Sequence, residues 1–256
     1  MMSDFGLKSQ APARHTSPTS GVLMGSAGVL RLASAASQEY PSFMSSAASV
    51  NWLELDRSPH AIQFYSGDGF LLDSLARFVS TSLEAAGSAL VIATQVHRDG
   101  LVERLEARGL DTDRWAKKGR FVTVDASLAL AQLLVDGKVE STRFDEFIRE
   151  VVLPLKTAAE SRPQRVAVWG EAVAMLWADG KAEAAIELEH LWNKLAMEGC
   201  YRFRCCYPIA SFSDPGQNEL FMKLCAEHAN VIPRESQRHN VAASVRQFES
   251  VAGGSS

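Results

Sequence analysis

Glu171 follows the apolar run Val166 to Trp169 by one glycine, so a carboxylate stands at the carboxyl end of what reads as a buried strand. Open α/β sheets bind ligands in the crevice outside the carboxyl ends of their strands. Tyr65 ends the run Ala61 to Tyr65, and His97 follows the run Ala89 to Ala93, so both share that placement. Two more polar groups border an apolar helix face. At about 100° per residue, Ala185, Leu188, Leu191, Trp192, Leu195 and Ala196 share one face, with Glu189 just beside it and Asn193 one step further out. The chemistry on offer is polar recognition at the mouth of a pocket. No complete catalytic machine accompanies it.

Each candidate has a plainer reading. Glu171 is either a ligand anchor or a carboxylate stabilising the start of the next helix by its charge. Glu189, at the edge of a buried face, must be hydrogen-bonded or exposed. A structural bond to a backbone group or tryptophan satisfies that as well as ligand contact does. His60 opens the first strand at its amino end and is a weaker imidazole candidate than His97.

The first strand-to-helix turn decides against phosphate chemistry. It reads Tyr65-Ser66-Gly67-Asp68-Gly69-Phe70-Leu71-Leu72-Asp73. A phosphate loop needs two glycines framing four residues, then Lys and a hydroxyl residue. Both are missing here, and Asp68 and Asp73 bring negative charge where phosphate requires positive. The third glycine of a dinucleotide fingerprint is absent too. No G-x-S-x-G elbow occurs. No His, Cys, Asp or Glu group shows metal-ligand spacing beyond the weak pair Glu187 and His190. The cysteines are Cys200, Cys205, Cys206 and Cys225, without a C-x-x-C pair, and read as free thiols. Cys205 and Cys206 are adjacent in a strand and must point to opposite faces.

Elements that position these residues alternate along the chain. The strand Ala61 to Tyr65 precedes a helix marked by Phe70, Leu71, Leu75, Phe78, Val79 and Leu83, which Gly87 ends. Ala89 to Ala93 is continuously apolar, as in a parallel sheet covered on both faces. A helix from Gly100 to Arg108, capped by Gly109, leads to the strand Phe121 to Val124. Ser127 is placed to cap a helix from Leu128 to Val135, stopped by Gly137. A longer helix from Arg143 to Glu160 is bent or divided at Pro154. The strand Val166 to Trp169, the Trp192 helix, the strand Arg202 to Tyr207 and a helix from Asn218 to His228 complete the series. This predicts a three-layer α/β/α fold with a mostly parallel five-stranded sheet. Residues 58–233 form the body, 1–57 a disordered Ser- and Ala-rich segment, and 234–256 a flexible tail.

A net charge of -4 without a basic block argues against a nucleic-acid surface. No apolar run reaches the roughly 18 residues of a membrane span, and the opening residues lack the apolar core of a secretory signal. Cytoplasmic location is the default expectation.

His60-Ala61-Ile62-Gln63-Phe64-Tyr65, Ala89 to Thr94, Gly109-Leu110-Asp111 and Phe121 to Ser127 form one half of a resemblance. Trp169-Gly170-Glu171, Leu188-Glu189, Leu191-Trp192-Asn193 and Cys206-Tyr207-Pro208 form the other. Their order and spacing resemble the MEDS domain, a prokaryotic sensory domain, over about residues 58–233. The resemblance implies a layout similar to RecA- and KaiC-like ATPase cores with a degenerate nucleotide site. In that setting Glu171 stands where RecA-like ATPases keep a metal-binding acid. It also implies a signal-input role for small organic compounds, with output through a histidine kinase or a DNA-binding regulator. Neither output module is legible in this sequence, so the expected partner acts in trans. The resulting expectation is a non-enzymatic domain with no cofactor and no metal. It would bind a small organic ligand or a signalling protein through Tyr65, His97, Glu171, Glu189 and Asn193. A degenerate nucleotide-binding protein or weak NTPase is the alternative, and a self-associating scaffold is the second.

Overall fold

The structure, a computed structural model, describes residues 58–232. The expectations for residues 1–57 and 234–256 lie outside the described residues. Strand β1 (His60–Tyr65) leads through α1 (Asp68–Glu84) to β2 (Ser88–Ala93). Helices α2 (Gln95–Ala107) and α3 (Thr112–Lys117) then lead to β3 (Phe121–Asp125). Next come α4 (Ala126–Leu133), the short strands β4 (Leu134–Val135) and β5 (Lys138–Val139), and α5 (Ser141–Phe147). A π-helical turn (Ile148–Val152) joins α5 to α6 (Leu153–Ala158), and β6 (Val166–Gly170) follows. Helices α7 (Ala172–Ala178) and α8 (Ala182–Ala196) precede β7 (Tyr201–Pro208). Finally α9 (Asn218–Ala226) leads to β8 (Asn230–Ile232).

Six strands form one sheet in the order β3-β2-β6-β7-β1-β8, and every neighbouring pair is parallel. The expected five strands are all present; β8 adds a sixth at the edge beside β1. The continuous apolar runs arise because both faces are covered. One face packs Ala89, Val91, Ala93, Trp169 and Cys206 against α1 and α2. The other packs Ile62, Phe64, Ile92, Val168, Cys205 and Tyr207 against α4 to α9. Strand alternation thus sends Cys205 and Cys206 to opposite faces, both buried.

This division of helices creates a crevice. The connections β1 to β2 and β2 to β3 run over one face, while β3 to β6 and β6 to β7 run over the other. Strands β2 and β6 are neighbours, yet the helices that follow them leave to opposite sides. That is the switch point at which a parallel sheet opens outside its carboxyl ends.

Several local expectations are corrected. Gly87 does not supply the left-handed turn after α1; Ala86 does, with φ 61°. Gly87 is required for closeness instead. A Cβ there would stand 3.0 Å from both the Arg165 and Ser82 carbonyl oxygens. The helix expected from Leu128 to Val135 ends at Leu133. Leu134–Val135 pairs with Lys138–Val139 across an Asp136-Gly137 turn whose φ values are 49° and 77°. Asp-Gly with both residues at positive φ matches the twist of a tight hairpin. Ser127 is not the cap of α4: Asp125 accepts from the Ser127 and Leu128 amides. Pro154 does divide the long helix. It cannot donate to the residue four back, and the wider π turn stands immediately before α6.

Candidate functional site

Glu171 is the residue on which the β2/β6 crevice turns. It is the N-cap residue of α7, yet its side chain makes no cap bond there. Its backbone amide donates to Ile92 O at 3.1 Å, which ties the end of β6 to the end of β2. Its carboxylate crosses the switch point. Oε1 accepts from the Thr94 amide, and Oε2 lies 2.5 Å from His97 Nδ1. Thr94 is the N-cap of α2 and His97 sits in that helix's first turn. Glu171 therefore places its negative charge at the amino end of α2, where the helix dipole favours an anion.

His97 joins a second acid. Its Nε2 lies 3.6 Å from Asp68 Oδ1 at the start of α1. The hydrogen bond to Glu171 raises the His97 pKa, opposed by burial and reinforced by the charges of Glu171 and Asp68. Tyr65, buried at the end of β1, has its phenol pushed well up, chiefly by burial and then by Glu171, Cys206 and Asp68. On the β3 side, Arg98 donates to Ala93 O at 2.8 Å and to Asp125 Oδ2 at 2.7 Å. The Ser127 hydroxyl and then Arg98 hold Asp125 down at about 2.

The phosphate-loop position carries no cation in this arrangement. Asp68 begins α1 with Gly67 as its N-cap, so this helix terminus already has an anion. Asp73 points elsewhere, to Arg104 Nε at 2.9 Å. On the other face of the sheet lies an apolar cavity of about 20 Å³, lined by Ile92, Val168, Gly170, Val173, Trp192 and Cys205. Ile92 and Gly170 are register partners on β2 and β6, so the cavity reaches the ends of these strands from the face that α4 to α8 cover, opposite to α1 and α2. A Cβ on Gly170 would meet nothing within 4 Å.

Tyr65, His97 and Glu171 are therefore brought together, and Glu189 and Asn193 are not. Glu189 is fully buried under the opposite face of the sheet. Oε1 accepts from the Tyr207 hydroxyl at 2.8 Å; Oε2 accepts from Cys205 Sγ at 3.0 Å and lies 3.2 Å from His60 Nε2. Burial pushes the Glu189 pKa up, but His228 and His60 outweigh it and hold the carboxyl well below its ordinary range. Asn193, half-buried, reaches Glu227 Oε2 at 3.5 Å on the outer side of α8. Sequence reasoning missed His60 and His228 as partners of Glu189, because they lie on β1 and beyond α9. It also missed Arg98 and Asp125. The Asp at the end of the third strand was the available signal for Asp125. Buried Cys205 and Cys206 have thiol pKa values pushed up, first by burial. That is opposite to what a nucleophilic thiol needs.

A six-stranded parallel α/β sheet with a polar switch-point crevice is a common frame for ligand recognition. The family description "MEDS: MEthanogen/methylotroph, DcmR Sensory domain" matches residues 59–222, and the chain belongs to that family. It carries a sensory domain with a signal-input role. No curated protein matches the chain. Among the described residues, no helix is long and apolar enough to cross a membrane.

Proposed function

We propose that this domain is a non-catalytic receptor for a small, partly apolar, uncharged or cationic organic molecule. Its site is the crevice at the carboxyl ends of β1, β2 and β6. The observation that carries the reading is the reach of Glu171 across the switch point to Thr94 and His97. A ligand donor competing for that carboxylate changes the capping of α2 and the field at His97 and Tyr65 together. Asp68, Glu171 and Asp125 outnumber Arg98 as fixed charges around the crevice, which disfavours an anionic triphosphate. A core of RecA or KaiC ancestry that has lost its phosphate loop fits this charge pattern.

Signalling then works by population shift. The ligand binds the arrangement in which Glu171 turns from α2 more tightly than the one in which it caps α2. The surface of α2 reports the difference to a histidine kinase or transcription regulator. Titration calorimetry of the full chain tests the reading. Small neutral or cationic organic compounds are expected to give saturable heat that Glu171→Ala and His97→Ala remove, with none from Mg-ATP. Saturable Mg-ATP binding would establish the nucleotide-binding alternative instead.

A further inference from the structure

Four buried donors from separate segments converge under the face opposite α1. Glu189 Oε2 lies 3.2 Å from His60 Nε2, 3.0 Å from Cys205 Sγ and 3.4 Å from His228 Nε2. His60 Nε2 lies 3.4 Å from Cys205 Sγ. All four ligand atoms fall within 4.8 Å of one another. A tetrahedral zinc centre has bonds of about 2.0–2.3 Å, which places its ligand atoms roughly 3.3–3.8 Å apart. The four measured separations lie in or just below that range, so small side-chain movements complete the tetrahedron.

A second observation points the same way. The His228 side chain is 0% exposed. Its Nδ1 faces Leu224 O at 2.9 Å, and only N–H can satisfy a carbonyl, so Nδ1 carries the proton. Nε2 faces the cluster without a hydrogen-bond partner, and in the neutral imidazole it offers a lone pair to an ion. Its 3.4 Å approach to Glu189 is an ion-pair distance without hydrogen-bond alignment. A fully buried, unpartnered imidazole nitrogen aimed at an acid, a thiol and a second imidazole has the geometry of a metal ligand. The surrounding contacts resemble outer-shell support. Leu224 O orients His228, and the Tyr207 hydroxyl occupies Glu189 Oε1, leaving Oε2 for the ion.

We propose that His60, Glu189, Cys205 and His228 form a buried tetrahedral site for a divalent ion of the zinc class. Two imidazoles and a thiolate select a borderline-soft ion over magnesium or calcium. On binding, the metal–sulfur bond replaces the Cys205 S–H bond and the proton leaves to solvent. Thiolate and carboxylate then cancel the charge of the ion, so the buried cluster is neutral. Four protein ligands leave no open position, which makes the site structural rather than catalytic. It fastens the start of β1, α8, β7 and the segment between α9 and β8, and so holds the edge strand in place. The ligands are far apart in the chain and show no local spacing, which is why the sequence predicts no metal. The site lies apart from the crevice, and neither proposal requires the other.

Cobalt(II) is the probe. The full chain, stripped by chelation and kept reduced, is titrated with Co²⁺ and read by absorption. The expected result is one ion per chain, with a thiolate-to-cobalt charge-transfer band and the intense visible bands of a tetrahedral centre, both lost on adding zinc. Cys205→Ser removes the charge-transfer band, whereas Cys200→Ser keeps it. Tyr207→Phe weakens cobalt binding about 10- to 100-fold. Should Cys205→Ser not fold, His228→Gln is read by affinity instead: it weakens cobalt binding at least about 10-fold, with circular dichroism to show that secondary structure is retained. Absence of the charge-transfer band in the unaltered chain, its survival in Cys205→Ser, or cobalt affinity unchanged in folded His228→Gln, overturns the proposal and leaves a plain histidine–glutamate cluster.

Discussion

His97 Nδ1 lies 2.5 Å from Glu171 Oε2, although one residue opens a helix after β2 and the other follows β6. The contact closes the gap between β2 and β6, neighbouring strands that send their helices to opposite faces. It also gives the crevice a titrating element.

The Glu171 hydrogen bond raises the His97 pKa above its ordinary 6.5. A raised folded-state value means that this stabilisation is complete below the ordinary value and is lost as pH rises through the folded one. Thermal midpoints of the unaltered chain should therefore fall across that interval. Glu171→Gln should flatten the fall, and a midpoint series with and without the substitution checks it. An unchanged slope in Glu171→Gln would assign the pH dependence to another group.

Glu189→Ala leaves the Tyr207 hydroxyl, the Cys205 thiol and His60 without their shared acceptor in the core. Removing one member of a buried, hydrogen-bonded set costs about 3–5 kcal/mol. Glu227→Ala breaks only the contacts to exposed His190 and half-buried Asn193, and should cost less than about 1 kcal/mol. Urea denaturation of both variants separates the two expectations.

Two glycines make a matched pair. Gly87→Ala forces a methyl to within 3.0 Å of two backbone carbonyl oxygens and should cost about 1–3 kcal/mol. Gly69, inside the first turn of α1, has no atom within 4 Å of an added Cβ. Gly69→Ala should leave stability unchanged or raise it by about 0.5–1 kcal/mol. Denaturant midpoints decide both.

Gly170→Ala tests the cavity apart from the fold. Open space beside Gly170 means that the methyl is accepted, with stability unchanged or raised by up to about 1 kcal/mol. The same methyl takes room at the end of β6, next to Glu171, so any compound that binds the unaltered chain should bind the variant more weakly. Full affinity in the variant would place the ligand elsewhere.

The sheet was legible because its strands are continuous apolar runs between helices of regular period. Its sixth strand was not, because Asn230–Ile232 is three residues long and owes its form to pairing with β1. The Asp136-Gly137 hairpin did carry a local signal, but the apolar residues before it also fit a helix. Strand-end logic grouped Tyr65, His97 and Glu171 because all three end or follow strands that finish on one side. Glu189 escaped that logic. Helical spacing places it at the rim of a buried face, and only the tertiary fold decides that His60, Cys205 and Tyr207 enclose it. Long-range convergence of this kind leaves no periodic trace in a single sequence.

Native mass spectrometry of the full chain, purified without denaturation, bears most directly on the receptor reading. The account predicts a small organic molecule retained by the unaltered protein and lost from Glu171→Ala. A bound nucleotide, or the same molecule retained equally by both proteins, would contradict it.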